Sequence, residues 1–194
     1  DDTRPTTVKT RFMVEKQKMF RLSRLDDRDI SAEVESKVIK KLYDLAPSAD
    51  GILISDFNYG CITKNVLEVI EDLKNKHKLL LFGDTQCSSQ TGDILKFKGF
   101  NLVTPTERAA RISLRNKDDS VETLANSILR QSSCTNLILK LGVEGFICYS
   151  SIAGRSTLRE HFPALSNNPI DVTGAGDSLI AAMAVSSCAG AKIM

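Results

Sequence analysis

Five short apolar runs alternate with segments of helical periodicity, and this alternation restricts the fold more than any other feature of the chain. The runs "GILISDF" (51–57), "KLLLFGD" (78–84), "FNLVTP" (100–105), "NLILKLG" (136–142) and "GFICYS" (145–150) are too short for helices and are bounded by turn formers, as buried strands are. Between them, Val34, Val38, Ile39, Leu42 and Leu45 recur at helical spacing behind Ser31, and Val66, Leu67, Ile70 and Leu73 do so behind Thr63. A hydroxyl ahead of such a stripe is a natural helix cap. "TERAARISL" (106–114) reads as a short helix, and Asp119, Ser120 and Glu122 supply a cap and first-turn acids to a helix through Val121, Leu124, Ile128 and Leu129. Strands alternating with helices in this way predict an α/β fold with a mostly parallel sheet covered on both faces. In such sheets ligands bind beyond the carboxyl ends of the strands.

Ahead of this core, Val8, Thr10, Phe12 and Val14 alternate with polar residues, which predicts a two-stranded ribbon over residues 1–25 and an α/β core over 26–194. Six basic residues and one acid lie between Lys9 and Arg24. At 194 residues, 42% hydrophobic and 26% charged, the chain has the composition of one globular domain. A net charge of +2 supplies no global field for nucleic acid or an anionic membrane. The longest apolar run, Leu179 to Ala191, is interrupted by Ser186, Ser187 and Gly190 and is too short to span a bilayer. Cysteines 61, 87, 134, 148 and 188 are odd in number and form no C-x-x-C pair. Neither a disulfide framework nor a zinc site is suggested, and a reducing, cytoplasmic setting is expected. His77 and His161 lie in no spacing that suggests a metal site or a hydrolase triad.

The chemistry concentrates in "DVTGAGD" (171–177), directly ahead of a helix-forming run. Gly174, Ala175 and Gly176 carry no large side chains, so their N–H groups can approach a ligand at a helix amino end, where the peptide dipoles favour an anion. Asp177 falls in the first helical turn. A carboxylate beside a bound phosphate is repelled unless it has a task, and accepting a proton from an attacking hydroxyl is such a task. Glycine-rich turns before helices also occur without catalysis, and an acid in the first turn suits the dipole in any case. Two phosphate-binding motifs are excluded: G-x-G-x-x-G would need glycine where Leu179 stands, and no G-K-[ST] occurs.

The segment from Asp171 to Asp177 resembles the carboxyl-terminal signature of the ribokinase-like (PfkB) sugar kinases. "LILKLGVEGFICY" is similar to the strand-turn-strand that borders the nucleotide in that family, and "ILISDFNYGCIT" to its "SDYGKG" segment. With "TVKTRFMVEKQKMFRLSR" and "GDTQCSSQTGDILKFKGFNLVTPTERAAR", the resemblance is strongest to the subgroup that phosphorylates heptose 7-phosphate, the kinase half of bifunctional ADP-heptose synthases. It implies a three-layer ribokinase-like fold and transfer of the ATP γ-phosphate to a sugar phosphate, with Mg2+ and, in some members, K+. It also implies a homodimer and a fused or separate nucleotidyltransferase domain. By the same resemblance Asp177 is the base and the amides of Gly174, Ala175 and Gly176 form the anion hole. Lys140, Gly142, Gly145 and Glu107 border the nucleotide, and Lys9, Arg11, Gln17 and Arg21 face the sugar phosphate. Asp171 and Thr173 match positions that help to hold a monovalent cation.

The sequence departs from the family pattern at its N-x-x-E motif. In "TPTERAAR" Thr106 replaces the asparagine and Ala109 the glutamate, while Thr104 and Glu107 keep an x-x-E spacing. Gln86 follows Asp84 where the family places lysine. The chain opens on Asp1 rather than methionine, and strands and lid elements that the family places before it, and adenine-pocket elements that the family places after Met194, are expected to lie outside it. Three readings therefore stand: a heptose 7-phosphate kinase domain, another PfkB carbohydrate kinase, and a degenerate or truncated domain that binds nucleotide or serves assembly without catalysis.

Overall fold

The computed structural model describes residues 4–15, 17–86, 92–152, 156–166 and 172–193. A two-stranded antiparallel ribbon, β1 (Val8–Val14) and β2 (Gln17–Arg24), precedes a six-stranded sheet in the order β3-β4-β5-β6-β7-β8. Strands β3 (Gly51–Asp56), β4 (Leu80–Thr85), β5 (Leu102–Val103) and β6 (Asn136–Lys140) pair in parallel. β7 (Phe146–Ile152) and β8 (Ser156–Phe162) add antiparallel strands at one edge. The helices are α1 (Ala32–Leu45), α2 (Lys64–His77), α3 (Glu107–Leu114), α4 (Val121–Ser132) and α5 (Ala175–Cys188).

Alternate residues of each strand face opposite layers, as the two-residue period requires. Leu81, Val103, Leu137, Leu139, Ile147 and Tyr149 join Val66, Ile70, Ala110, Ala125 and Ile128 in the main core, which lies beneath α2, α3 and α4. Phe82, Leu102, Ile138 and Cys148 turn the other way and meet Ile180 and Ala184 of α5. The result is three layers, helix, sheet and helix, with the expected mostly parallel sheet. Strand β8 lies in a segment for which periodicity predicts no strand.

The hydroxyls expected ahead of α1, α2 and α4 cap their helices, and Thr106 caps α3 in the same way. Ser31, Thr63, Thr106 and Ser120 accept from the N–H groups of Val34, Val66, Ala109 and Thr123, at 3.1–3.4 Å. Thr63 also donates its hydroxyl to Glu35, which accepts from Asn65 at 3.0 Å as well. One buried hydroxyl thus ties α1 to the start of α2.

Helix α5 runs opposite to β3, and this positions the site. A Cβ built on Gly51, the first residue of β3, would lie 3.1 Å from Cys188 Sγ at the last turn of α5. At the other end, Ser55 of β3 donates to Asp177 in the first turn of α5. The absence of a side chain at Gly51 lets the helix lie close to the sheet and carries its amino end to the carboxyl ends of the parallel strands.

Candidate active site

Four residues of the α5-facing side end the four parallel strands: Ser55 on β3, Asp84 on β4, Thr104 just after β5 and Lys140 on β6. Ser55 and Asp84 are direct partners in the β3–β4 register. Asp84 is buried at 1% exposure and Lys140 is nearly so; the Lys140 ammonium donates to Asp84 Oδ2 at 2.7 Å. Burial pushes the Asp84 carboxyl above the ordinary range, and the adjacent Lys140 pulls it back without prevailing. Thr104 is wholly buried, and its hydroxyl lies near Asp84 without completing a hydrogen bond of good geometry.

The first turn of α5 sits over this row. Gly174 adopts φ +80°, in the left-handed region that favours glycine, and starts the helix. The first intrahelical bond runs from Ser178 N–H to Gly174 C=O at 2.8 Å, so the N–H groups of Gly176 and Asp177 precede the ladder, as at any helix amino end. Ala175 differs from expectation: its N–H is donated to Val172 C=O at 3.2 Å. The tight turn that sets the direction of α5 uses that amide, which leaves the next two ahead of the helical ladder. Asp177 is half-buried, and its Oδ1 accepts from Ser55 Oγ at 3.1 Å across 122 residues of sequence. Thr173 is exposed in the turn ahead of the helix, and Asp171 lies outside the described residues.

The remaining expected positions divide between the rim of the site and the scaffold. Gly142 has φ +67° and open space where a Cβ would be, at the turn leaving Lys140. Gly145 has φ +89°, and a Cβ there would meet Phe162 O at 2.1 Å; packing against the end of β8 already requires this glycine. Glu107 is held by Arg111 one helical turn away, at 2.7–2.9 Å, and Thr106 is spent as the cap of α3. In the ribbon, Lys9 places its ammonium 4.5 Å from the centre of the Phe57 ring and 4.9 Å from that of Tyr59, just beyond β3. Arg11 and Arg21 are direct cross-strand partners and share the face of Lys9. Gln17 pairs with Val14 at the ribbon tip.

A second polar cluster lies on the opposite side of the same strand ends. Buried Asp56 pairs with the Lys96 ammonium, and Asn58 donates to Thr85 Oγ1 at 2.8 Å. Nothing in the local sequence marks Lys96, because it is brought to Asp56 from 40 residues away.

Residues 1–193 match the family described as pfkB family carbohydrate kinase. The chain belongs to that family. It is 29% identical over 196 residues to the bifunctional protein HldE of Desulfatibacillum aliphaticivorans, covering 99% of this chain and 38% of that protein; the chain thus spans well under half the length of this curated relative. Its fold is that of phosphofructokinase-2 from Escherichia coli solved in complex with substrates and products (TM-score 0.68, 14% identity, 96% of this chain and 59% of the other). It is likewise that of ribokinase from Giardia lamblia (TM-score 0.68, 16% identity, 91% and 54%). The three-layer ribokinase-like architecture is therefore that of the pfkB kinases.

Proposed function

We propose that this pfkB-family chain transfers the γ-phosphate of ATP to a hydroxyl of a phosphorylated sugar, a heptose 7-phosphate. The observation that carries the reading is the single turn of helix that bears both parts of the chemistry. The N–H groups of Gly176 and Asp177 stand ahead of the helical ladder, and the Asp177 carboxylate, steadied by Ser55, lies beside them. An anion held at that turn would have a base within reach of its incoming nucleophile.

In this reading Asp177 takes the proton from the sugar hydroxyl as its oxygen forms a bond to the γ-phosphorus. The bond from that phosphorus to the bridging oxygen breaks, and ADP leaves with the electron pair. The amides of Gly174, Gly176 and Asp177, with Ala175 shaping the turn, line the anion hole that receives the charge on the transferring group. Gly142 and Lys140 border the nucleotide, with Gly145 holding the turn and Glu107 anchoring α3 beside them.

The ribbon supports a phosphorylated acceptor. Two arginines placed directly opposite across strands repel one another, a cost that a shared phosphate dianion offsets through charge-assisted hydrogen bonds. Lys9 shares their face and already contacts the loop after β3. The other face carries Val8, Phe12, Phe20 and Leu22, all exposed, with the Phe12 and Phe20 rings stacked at 4.3 Å. A second copy of the chain covering this apolar face makes the homodimer.

ATP and Mg2+ are the cofactors of the reading, with K+ assigned to Asp171 and Thr173. Among the described residues no group of three or more His, Cys, Asp or Glu side chains could hold a metal ion. Two of the carboxylates are engaged, Glu107 by Arg111 and Asp84 by Lys140. These residues do not fit a protein-built Mg2+ cage, so Mg2+ would be held chiefly by phosphate oxygens and water. A fused or separate nucleotidyltransferase domain, in keeping with a relative described as bifunctional, and a cytoplasmic setting complete the proposal. Among the described residues no helix is long and apolar enough to cross a membrane.

The rival reading, a domain that binds nucleotide without turnover, is favoured by one observation: the replaced N-x-x-E motif is committed to capping and an ion pair. ATP consumption measured against a panel of sugar phosphates decides between them. The kinase reading expects turnover with a heptose 7-phosphate and a loss on the order of a thousandfold or more in Asp177→Asn, with ATP binding kept. Unchanged turnover in Asp177→Asn would refute the base, and transfer only to unphosphorylated sugars would refute the acceptor.

A further inference from the structure

The Lys140–Asp84 pair has no evident structural reward. Both groups are withdrawn from water, and the Asp84 carboxyl is pushed up by burial further than its partner lowers it. Buried pairs of this kind seldom stabilise a fold relative to apolar replacements. Its position is specific, however. A Cβ built on Gly176 would lie 3.0 Å from Lys140 Nζ and 3.7 Å from Asp84 Oδ2. The ammonium therefore rests against the bare backbone of the second residue of α5, at the end of the helix that attracts anions. Thr104, the third member of the row, keeps its buried hydroxyl near Asp84 without a hydrogen bond of good geometry among the described residues.

We propose that Lys140 is a phosphate-binding residue of this site, held in waiting by Asp84: when a polyphosphate oxygen arrives at the amino end of α5, the ammonium turns from Asp84 to that oxygen. The inference rests on the kinase reading for its place in the reaction, as a cation that follows charge onto the transferring group. No proton or bond changes hands at Lys140; the step is electrostatic. Before the anion arrives, Asp84 neutralises the ammonium, so the site does not hold an unpaired buried charge. A side chain at Gly176 would press on the ammonium, which would have to give by a few tenths of an ångström. The sequence carries a matching signal. Asp84 lacks the lysine that the related pattern places two residues later, where Gln86 stands, and Lys140 brings a cation to Asp84 from 56 residues away.

The test is binding of inorganic tripolyphosphate, followed by calorimetry, in the parent protein and in the Lys140→Met/Asp84→Asn double variant, which removes both charges together. Parent binding is expected to weaken roughly tenfold or more in the double variant, the scale of one lost charge-assisted hydrogen bond. Equal affinity in a variant that unfolds at the parent's temperature overturns the proposal. If the double variant does not fold, Lys140→Gln, which keeps a hydrogen-bonding partner for Asp84, is measured in its place with the same expectation. Because no turnover is needed, the two readings fail separately. Lys140-dependent tripolyphosphate binding without sugar-phosphate turnover sinks the kinase reading alone; turnover with tripolyphosphate binding indifferent to Lys140 sinks this inference alone.

Discussion

A single carboxylate shows how burial and pairing compete at the residue scale. Asp84 is held above its ordinary value of 3.8 by burial, against the pull of Lys140. A carboxyl whose folded value exceeds its unfolded one binds more protons in the native state. Its contribution is therefore fully present below the unfolded value and is lost as pH rises through the folded one. Measured against the Lys140→Met/Asp84→Asn variant, the parent's stability should decline as pH rises from below 3.8 and then level off; a relative gain over that window would contradict the assignment. Asp177 was identifiable from its sequence neighbourhood, whereas its partner Ser55 was not, because a serine 122 residues away gives no local sign of the contact.

Two kinds of turn and cap decide where the elements begin. Thr63 caps α2 and reaches Glu35 of the neighbouring helix pair, so Thr63→Ala should cost about 1–2 kcal/mol in denaturant unfolding. A cost below a few tenths would show the α1–α2 link to be idle. Gly142 and Gly145 look alike in the sequence, three residues apart in one turn, yet they differ in space. Gly145→Ala meets a carbonyl and a strained φ and should lose more than about 2 kcal/mol. Gly142→Ala meets only the left-handed backbone and should lose about 1–2 kcal/mol. Comparable losses in thermal unfolding would refute the distinction. Elements with a capping hydroxyl and a long apolar stripe were legible for this reason: cap and stripe are both local. Strand β8 was not, because "STLREHF" is mostly polar and earns its place through the register with β7.

For the whole molecule, the ribbon sets the main question. Arg4 donates to the carbonyls of Asp26, Arg28 and Tyr59, and Gly60 lets the Arg28 backbone approach, since a Cβ there would lie 1.9 Å from its carbonyl oxygen. The ribbon stalk is thereby fastened to the loop after β3 while its outer face stays apolar and exposed. If the proposed homodimer forms through this face, the parent sediments as a dimer and replacing Phe12 and Phe20 by serine should give a monomer, because an exposed apolar patch of this kind favours association. An unchanged mass would mean that the ribbon is not the dimer contact.

The sequence alone determined the α/β class, the capped helices, the ribbon and the glycine-rich turn ahead of α5, since each depends on periodicity or on residues adjacent in the chain. Only the tertiary structure decided that Ser55, Asp84, Thr104 and Lys140 form one row beneath that turn. Their meeting depends on strand register and on the direction of α5, and those are fixed by which apolar faces bury one another across the sheet.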